Sequence, residues 1–211
     1  MPHVVLLGDS IFDNGAYTRG EPDVVTHLEA LIPPGWRATL AAIDGATTGG
    51  LRAQVSRVPA DASHLVVAVG GNDALQNSDL LATRVKSSAD TLALFADRLG
   101  QFEADYRAAI NAVAALGRPV TVCTIYNGAL DPPQAVLARV GLMMFNDVIL
   151  RAAFDRRLDV IELRAICTDP EDYANPIEPS GSGGLKIARV VARAIGALEE
   201  PRVVSRVWVR S

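Results

Sequence analysis

The chain has 211 residues, 49% of them apolar, which fits one domain with a sizeable core better than two. Its 20 basic and 24 acidic side chains leave a formal charge of −4, which excludes the basic face that nucleic acid requires and any polybasic signal for anionic membranes. No apolar run approaches the ~20 residues of a bilayer span, and two cysteines, Cys123 and Cys167, are too few for a disulfide framework.

In chain order, five short apolar runs alternate with helical patterns. The spacing predicts strands over His3–Leu7, Arg37–Ile43, His64–Val69, Val120–Ile125 and Leu158–Leu163. Runs such as Leu65-Val66-Val67-Ala68-Val69 are apolar throughout, as expected of parallel strands covered on both faces. Helices are predicted over Asp23–Leu31, Thr48–Arg57, Asp79–Leu116, Pro133–Arg156 and Gly183–Leu198. Asp131-Pro132-Pro133 supplies a helix start, Gly117 a helix stop, and Gly100 a place where the long third helix could break. Leu92, Phe95, Leu99 and Phe102 follow helical spacing and are expected to pack on the sheet, and the same holds for Met143-Met144-Phe145. Strand–helix alternation implies an α/β architecture with helices on both sides of a parallel sheet. The expected organisation is a single domain over 1–211, with 200–211 an edge strand or docked tail. The first strand starts within three residues of the N-terminus with no leader pattern, so a cytoplasmic location is expected.

Three strand ends carry candidate chemistry. Gly8-Asp9-Ser10 follows the first strand. It is an ordinary helix-capping turn, or it presents a serine nucleophile at the carboxyl edge where ligands of open parallel sheets bind. The Ser10 N–H would then supply one oxyanion donor. Gly45, in Asp44-Gly45-Ala46-Thr47, follows the second strand. It is a turn glycine, or one whose bare backbone lets its N–H approach a bound oxygen. Asn72, in Gly70-Gly71-Asn72-Asp73, follows the third. It forms an Asx turn, or its carboxamide completes an oxyanion hole. Asp9, Asp13, Asp73, Asp169 and Asp172 crowd the same edge and read as caps and turn ligands. No His/Cys spacing supports a transition-metal site, and no cofactor is implied.

On these blocks the chain resembles the SGNH (GDSL) hydrolases, a superfamily of esterases, lipases and carbohydrate esterases. Gly-Asp-Ser-Ile at 8–11, the glycine at 45, Gly-Gly-Asn-Asp at 70–73 and the helix start at 179–188 match its four blocks in order. The resemblance implies a three-layer α/β/α, flavodoxin-like fold whose five-stranded parallel sheet has the order 2-1-3-4-5. It implies Ser10 as nucleophile, and the Ser10 N–H, Gly45 N–H and Asn72 amide as oxyanion hole.

The fourth block departs from the family. Where it carries Asp-x-x-His, this chain has Asn175-Pro176-Ile177-Glu178, and no histidine follows His64. His3 and His64 start their strands and so lie at the opposite sheet edge, while His27 lies below the site on the first helix. Glu178 is therefore the expected base, with Asn175 donating a hydrogen bond to its carboxylate. The plain alternative is a surface glutamate at a helix entrance, where its charge suits the dipole. An unperturbed glutamate is ~2 pKa units less basic than histidine, a gap that burial narrows. The expected function is hydrolysis of small acyl esters, acetylated sugars included, since no extended apolar loop is visible to cover a fatty chain. A non-catalytic binding protein on the same fold is the alternative. No nucleic-acid or membrane partner is expected, and the oligomeric state is open.

Overall fold

A computed structural model describes residues 1–199 and Val207. The edge strand or tail expected at 200–211 lies outside the described residues, Val207 apart. Five parallel strands form one sheet: β1 (His3–Gly8), β2 (Arg37–Leu40), β3 (His64–Ala68), β4 (Val120–Cys123) and β5 (Asp159–Ile161). Their spatial order is β2-β1-β3-β4-β5. The helices are α1 (Val24–Leu31), α2 (Leu51–Val55), α3 (Gly71–Gln76), α4 (Ser88–Ala114), α5 (Gln134–Arg156) and α6 (Gly181–Ala194).

The continuous apolar strands follow from burial on both faces. Val4 and Leu6 of β1 face one core with Val66 of β3, Val24 and Leu28 of α1, and Ile187 and Val191 of α6. Val5 and Leu7 face the other, with Leu65 and Val67, Phe102 and Ile110 of α4, and Val148 and Ile149 of α5. Successive side chains alternate across the sheet, so a strand covered twice must be apolar at every position.

The differences from expectation have local causes. The region 79–116 is not broken at Gly100, which sits inside α4. It breaks earlier: a 3-10 turn at Ser78–Ala82 ends, and Ser87 and Asp90 form a reciprocal capping box that starts α4 afresh. Leu92 is exposed rather than packed on the sheet, while Leu99 and Phe102 reach the core. The helix expected at 48–57 is a 3-10 turn at Thr48–Gly50 running into the short α2. α3 was not anticipated; Gly70, with φ +124°, turns the chain straight from β3 into it. β2 ends at Leu40, yet Ala41 and Ala42 both donate to the Leu6 carbonyl and Ile43 to that of Gly8. That bulge keeps the chain on β1 until it reaches Gly45.

Candidate active site

Ser10 stands at the carboxyl end of β1, where local chemistry dictates the turn. Gly8 has φ +131°, and a Cβ there would collide with the Ala68 carbonyl of the neighbouring strand, so no larger residue fits. Its N–H and C=O are both held at 2.7 Å by the fully buried Gln54 carboxamide. Asp9 then donates its N–H to Ala68, and its carbonyl accepts from Phe12 and Asp13, closing a tight turn around Ser10.

Two further strand ends are tied to this turn. Asp13 accepts the Asp44 N–H at 2.9 Å, and the Asn72 amide donates to the Ala46 carbonyl at 3.0 Å. Asp73 accepts from the Thr48 N–H and hydroxyl, anchoring the start of α3. Asn72 therefore has one amide hydrogen engaged and one to spare. The Ser10 and Gly45 N–H groups make no hydrogen bond to any described residue. Gly45 takes φ +77° within its turn.

Glu178 arrives on a loop clamped from several sides. Ala174 donates to the Glu178 carbonyl, and Ala129 donates to that of Pro176. The Tyr126 hydroxyl donates to the Ile177 carbonyl at 2.6 Å, and Tyr126 stacks edge-on against Tyr173. Gly128 passes so close to the Pro176 carbonyl that a Cβ would sit 2.6 Å from it. Asn14 ties Pro179 to α1, accepting from the Val24 N–H while donating to the Pro179 carbonyl. Asn175 is exposed and works through the backbone. Its Oδ1 accepts the N–H groups of Ile177 and Glu178, both at 3.0 Å, where the expected contact was an amide donated to the carboxylate. The Asx geometry turns its amide outward and leaves it to shape the loop.

Ser10 and Glu178 line one cavity of about 150 Å³, together with Asp9 and Asn72. The Ser10 hydroxyl lies close enough to the Glu178 carboxylate to influence its ionisation. Burial raises the Glu178 pKa above the ordinary glutamate value; the Ser10 hydroxyl lowers it, and the nearby Asp44 charge adds to the rise. Glu178 Oε2 is buried with no hydrogen-bond partner, and so is Asp9 Oδ2. Asp9 is the more perturbed acid. Burial pushes its pKa up to about 7, opposed by the Ile11 N–H it accepts and reinforced by the charges of Glu178 and Asp73. The reading of Asp9 as a plain turn ligand thus holds for one of its oxygens only. Asp13, Asp73, Asp169 and Asp172 do serve as turn, cap and ion-pair partners.

The histidines have other work. His3 is buried between Asp61 and Thr39, His27 meets the Gly181 carbonyl at 3.0 Å, and His64 meets Ser63. None lines the cavity. Among the described residues, no cluster of three or more His, Cys, Asp or Glu side chains is arranged to hold a metal. Gln54, Tyr126, Asn14 and Asp9 were missed as site builders. A buried amide inside an apolar helix pattern, as at Gln54, is the sequence signal that marks such a clamp. The cavity brings together Ser10, Asn72 and Glu178 but is not lined by Gly45. An alcohol and a partly desolvated carboxylate on one cavity, with the unengaged Ser10 N–H, is an inventory suited to nucleophilic acyl transfer.

Comparison with known proteins bears on the family and the fold. The family described as GDSL-like Lipase/Acylhydrolase matches residues 6–183. No curated protein matches the sequence. Among solved structures, the extracellular lipase of Streptomyces rimosus superposes with a TM-score of 0.70 at 18% identity, over 92% of this chain and 100% of the lipase. An acetylxylan esterase from Geobacillus stearothermophilus gives 0.67 at 20% identity, over 92% and 94%. A phospholipase A1 from Streptomyces albidoflavus gives 0.65 at 17%, over 90% and 98%. At these identities the structural likeness speaks for the fold.

Proposed function

The chain belongs to the GDSL-like lipase/acylhydrolase family, and from that premise we propose that it is a serine ester hydrolase in which Glu178 takes the place of the usual histidine base. The observation that carries this reading is Ser10 and Glu178 sharing one cavity, with the serine hydroxyl close enough to the carboxylate to lower its pKa against the effect of burial.

Glu178 accepts the Ser10 proton as Oγ bonds to the acyl carbon. The carbonyl oxygen becomes an oxyanion, held by the N–H groups of Ser10 and Gly45 and the spare Asn72 amide hydrogen. The intermediate collapses, the ester C–O bond breaks, and protonated Glu178 returns its proton to the departing alcohol. Water then gives a proton to Glu178 and attacks the acyl-serine. Collapse releases the acid and restores the Ser10 hydroxyl. Asn175 is a positioning residue that holds the backbone of Glu178. The substrate is a small-molecule acyl ester; the mechanism needs no metal or cofactor.

The test has two arms. A fluorophosphonate probe adds its mass at Ser10 and not to Ser10→Ala. p-Nitrophenyl acetate hydrolysis by the native protein persists below pH 6, where an imidazole base fails, and drops in Glu178→Gln. An unlabelled serine with no turnover would overturn the reading and leave the non-catalytic binder in its place. Full activity in Glu178→Gln would overturn the base assignment alone.

A further inference from the structure

Away from Ser10 and Glu178 the cavity wall is mostly apolar, with Asn72, Asn77, Ser78 and Asn127 as its other polar members beside Asp9, and it is built by helices together with the loop that follows β4. On one side stand Leu75 of α3, Leu81 and, from α4, Phe95; on the other stand Leu137, Leu142 and Phe145 of α5. Leu81 itself lies in the 3-10 turn just before α4. The α5 contributors, with Ala138 and Gly141, recur at helical spacing and so form one continuous stripe along that helix. No lysine or arginine lines the cavity. Its floor is buried at Asp9, Ser10 and Glu178, while Leu75, Leu81 and Leu137 are exposed and mark where it opens.

A neutral aliphatic chain is the ligand for such a wall. A charged or hydroxyl-rich group would find no cation and few donors along it, and its desolvation would go unanswered. An apolar cavity of this volume holds on the order of six to ten carbon atoms. Resting on the esterase reading above, we infer that the acyl part of the substrate is a medium-length aliphatic chain lying along α5, and that Gly141 sets the length accepted. Gly141 is a cavity-lining position with no side chain, and a Cβ added there meets nothing within 4 Å. The space beside it is therefore open to a ligand or to a larger residue. Glycine inside a helix carries a stability cost relative to other residues. Its absence of bulk facing the cavity is what the chain gains in exchange.

The experiment is a p-nitrophenyl ester series from acetate to dodecanoate with the native protein, Gly141→Ala and Gly141→Phe. Each methylene sequestered from water strengthens binding about fourfold. The native kcat/KM should therefore climb with chain length to a maximum between hexanoate and decanoate. Gly141→Phe should lower octanoate turnover at least about 50-fold, leave acetate within about twofold, and melt no lower than the native protein; Gly141→Ala should fall between. A parallel arm measures methyl octanoate binding to Ser10→Ala, with and without Gly141→Phe, by calorimetry. Turnover that peaks at acetate, or a chain-length profile that Gly141→Phe leaves unchanged, overturns the inference and leaves the esterase reading intact. Absence of turnover at every length, with octanoate binding that Gly141→Phe abolishes, overturns the esterase reading and leaves the acyl pocket standing.

Discussion

The two halves of the candidate site are built differently. Ser10, Gly45 and Asn72 hang on strand ends whose buried polar groups, Asp9 Oδ2 apart, are answered: Gln54 clamps Gly8 on both sides, and Asp73 takes two donors from Thr48. Glu178 hangs on a loop held through its backbone, by Tyr126, Asn14 and the exposed Asn175, and its own Oε2 stays buried without a partner. Satisfied buried groups make a rigid frame. Orphaned carboxylate oxygens are costly in an empty cavity and become useful when a donor arrives. The contrast assigns geometry to the first half and reactivity to the second.

Four substitutions would break or sharpen that contrast. The largest effect is expected in the reactive half. Glu178→Gln should lower kcat/KM by about 10²- to 10⁴-fold, the usual worth of a general base, while thermal melting stays level or rises because a buried charge is gone. A fall in melting temperature alongside activity would place Glu178 in the frame instead. In the framing half, Gln54→Ala strands the N–H of Gly8 in the core, while the Gly8 carbonyl keeps the Ile43 N–H. At about 1–3 kcal/mol for an unsatisfied buried group, stability should fall by about 1–3 kcal/mol in denaturant titration, with activity following stability.

The next effect is a pH dependence carried by Asp9. Its folded pKa of about 7 stands above the ordinary 3.8, so between those values the native state keeps a proton that the unfolded chain releases. Stability therefore falls as pH rises from about 4 to about 7 and levels off above, by about 4 kcal/mol at most. Asp9→Asn should remove this slope in melting curves taken across pH. The same ionisation puts a second negative charge beside Ser10. The native activity should thus rise with pH through the elevated Glu178 pKa and decline above about 7, and Asp9→Asn should lose the decline. The smallest effect is Asn175→Ala. Removing one side chain that accepts two N–H groups should cost about 1 kcal/mol and reduce activity a few-fold, with the pH profile unmoved. A shifted profile would mean that Asn175 touches the carboxylate after all.

Much of this was legible in the residues. The all-apolar β1 and β3 could only be strands covered twice, and the glycines at 8 and 45 mark positive-φ turns at strand ends. The missing histidine was equally plain, as was the spacing that puts Glu178 before α6. The apolar cavity was not. Leu81, Phe95 and Leu142 each fit a helical pattern, and helical spacing reports which side chains share a face without saying what that face meets. Phe145 shows the ambiguity in one residue, since it packs in the core and lines the cavity.

By itself, then, the order of residues determined the strands, their covered faces, the turns that end them and which two side chains are the candidates for the reaction, because each is written in a few neighbouring positions. Only the tertiary structure decided that Gln54 locks Gly8, that Asp9 and Glu178 carry unanswered oxygens into one cavity, and that α5 walls it beside Gly141. Those properties belong to pairs of segments far apart along the chain. Desolvation, which governs the acids, is a sum over whatever the rest of the molecule places around them.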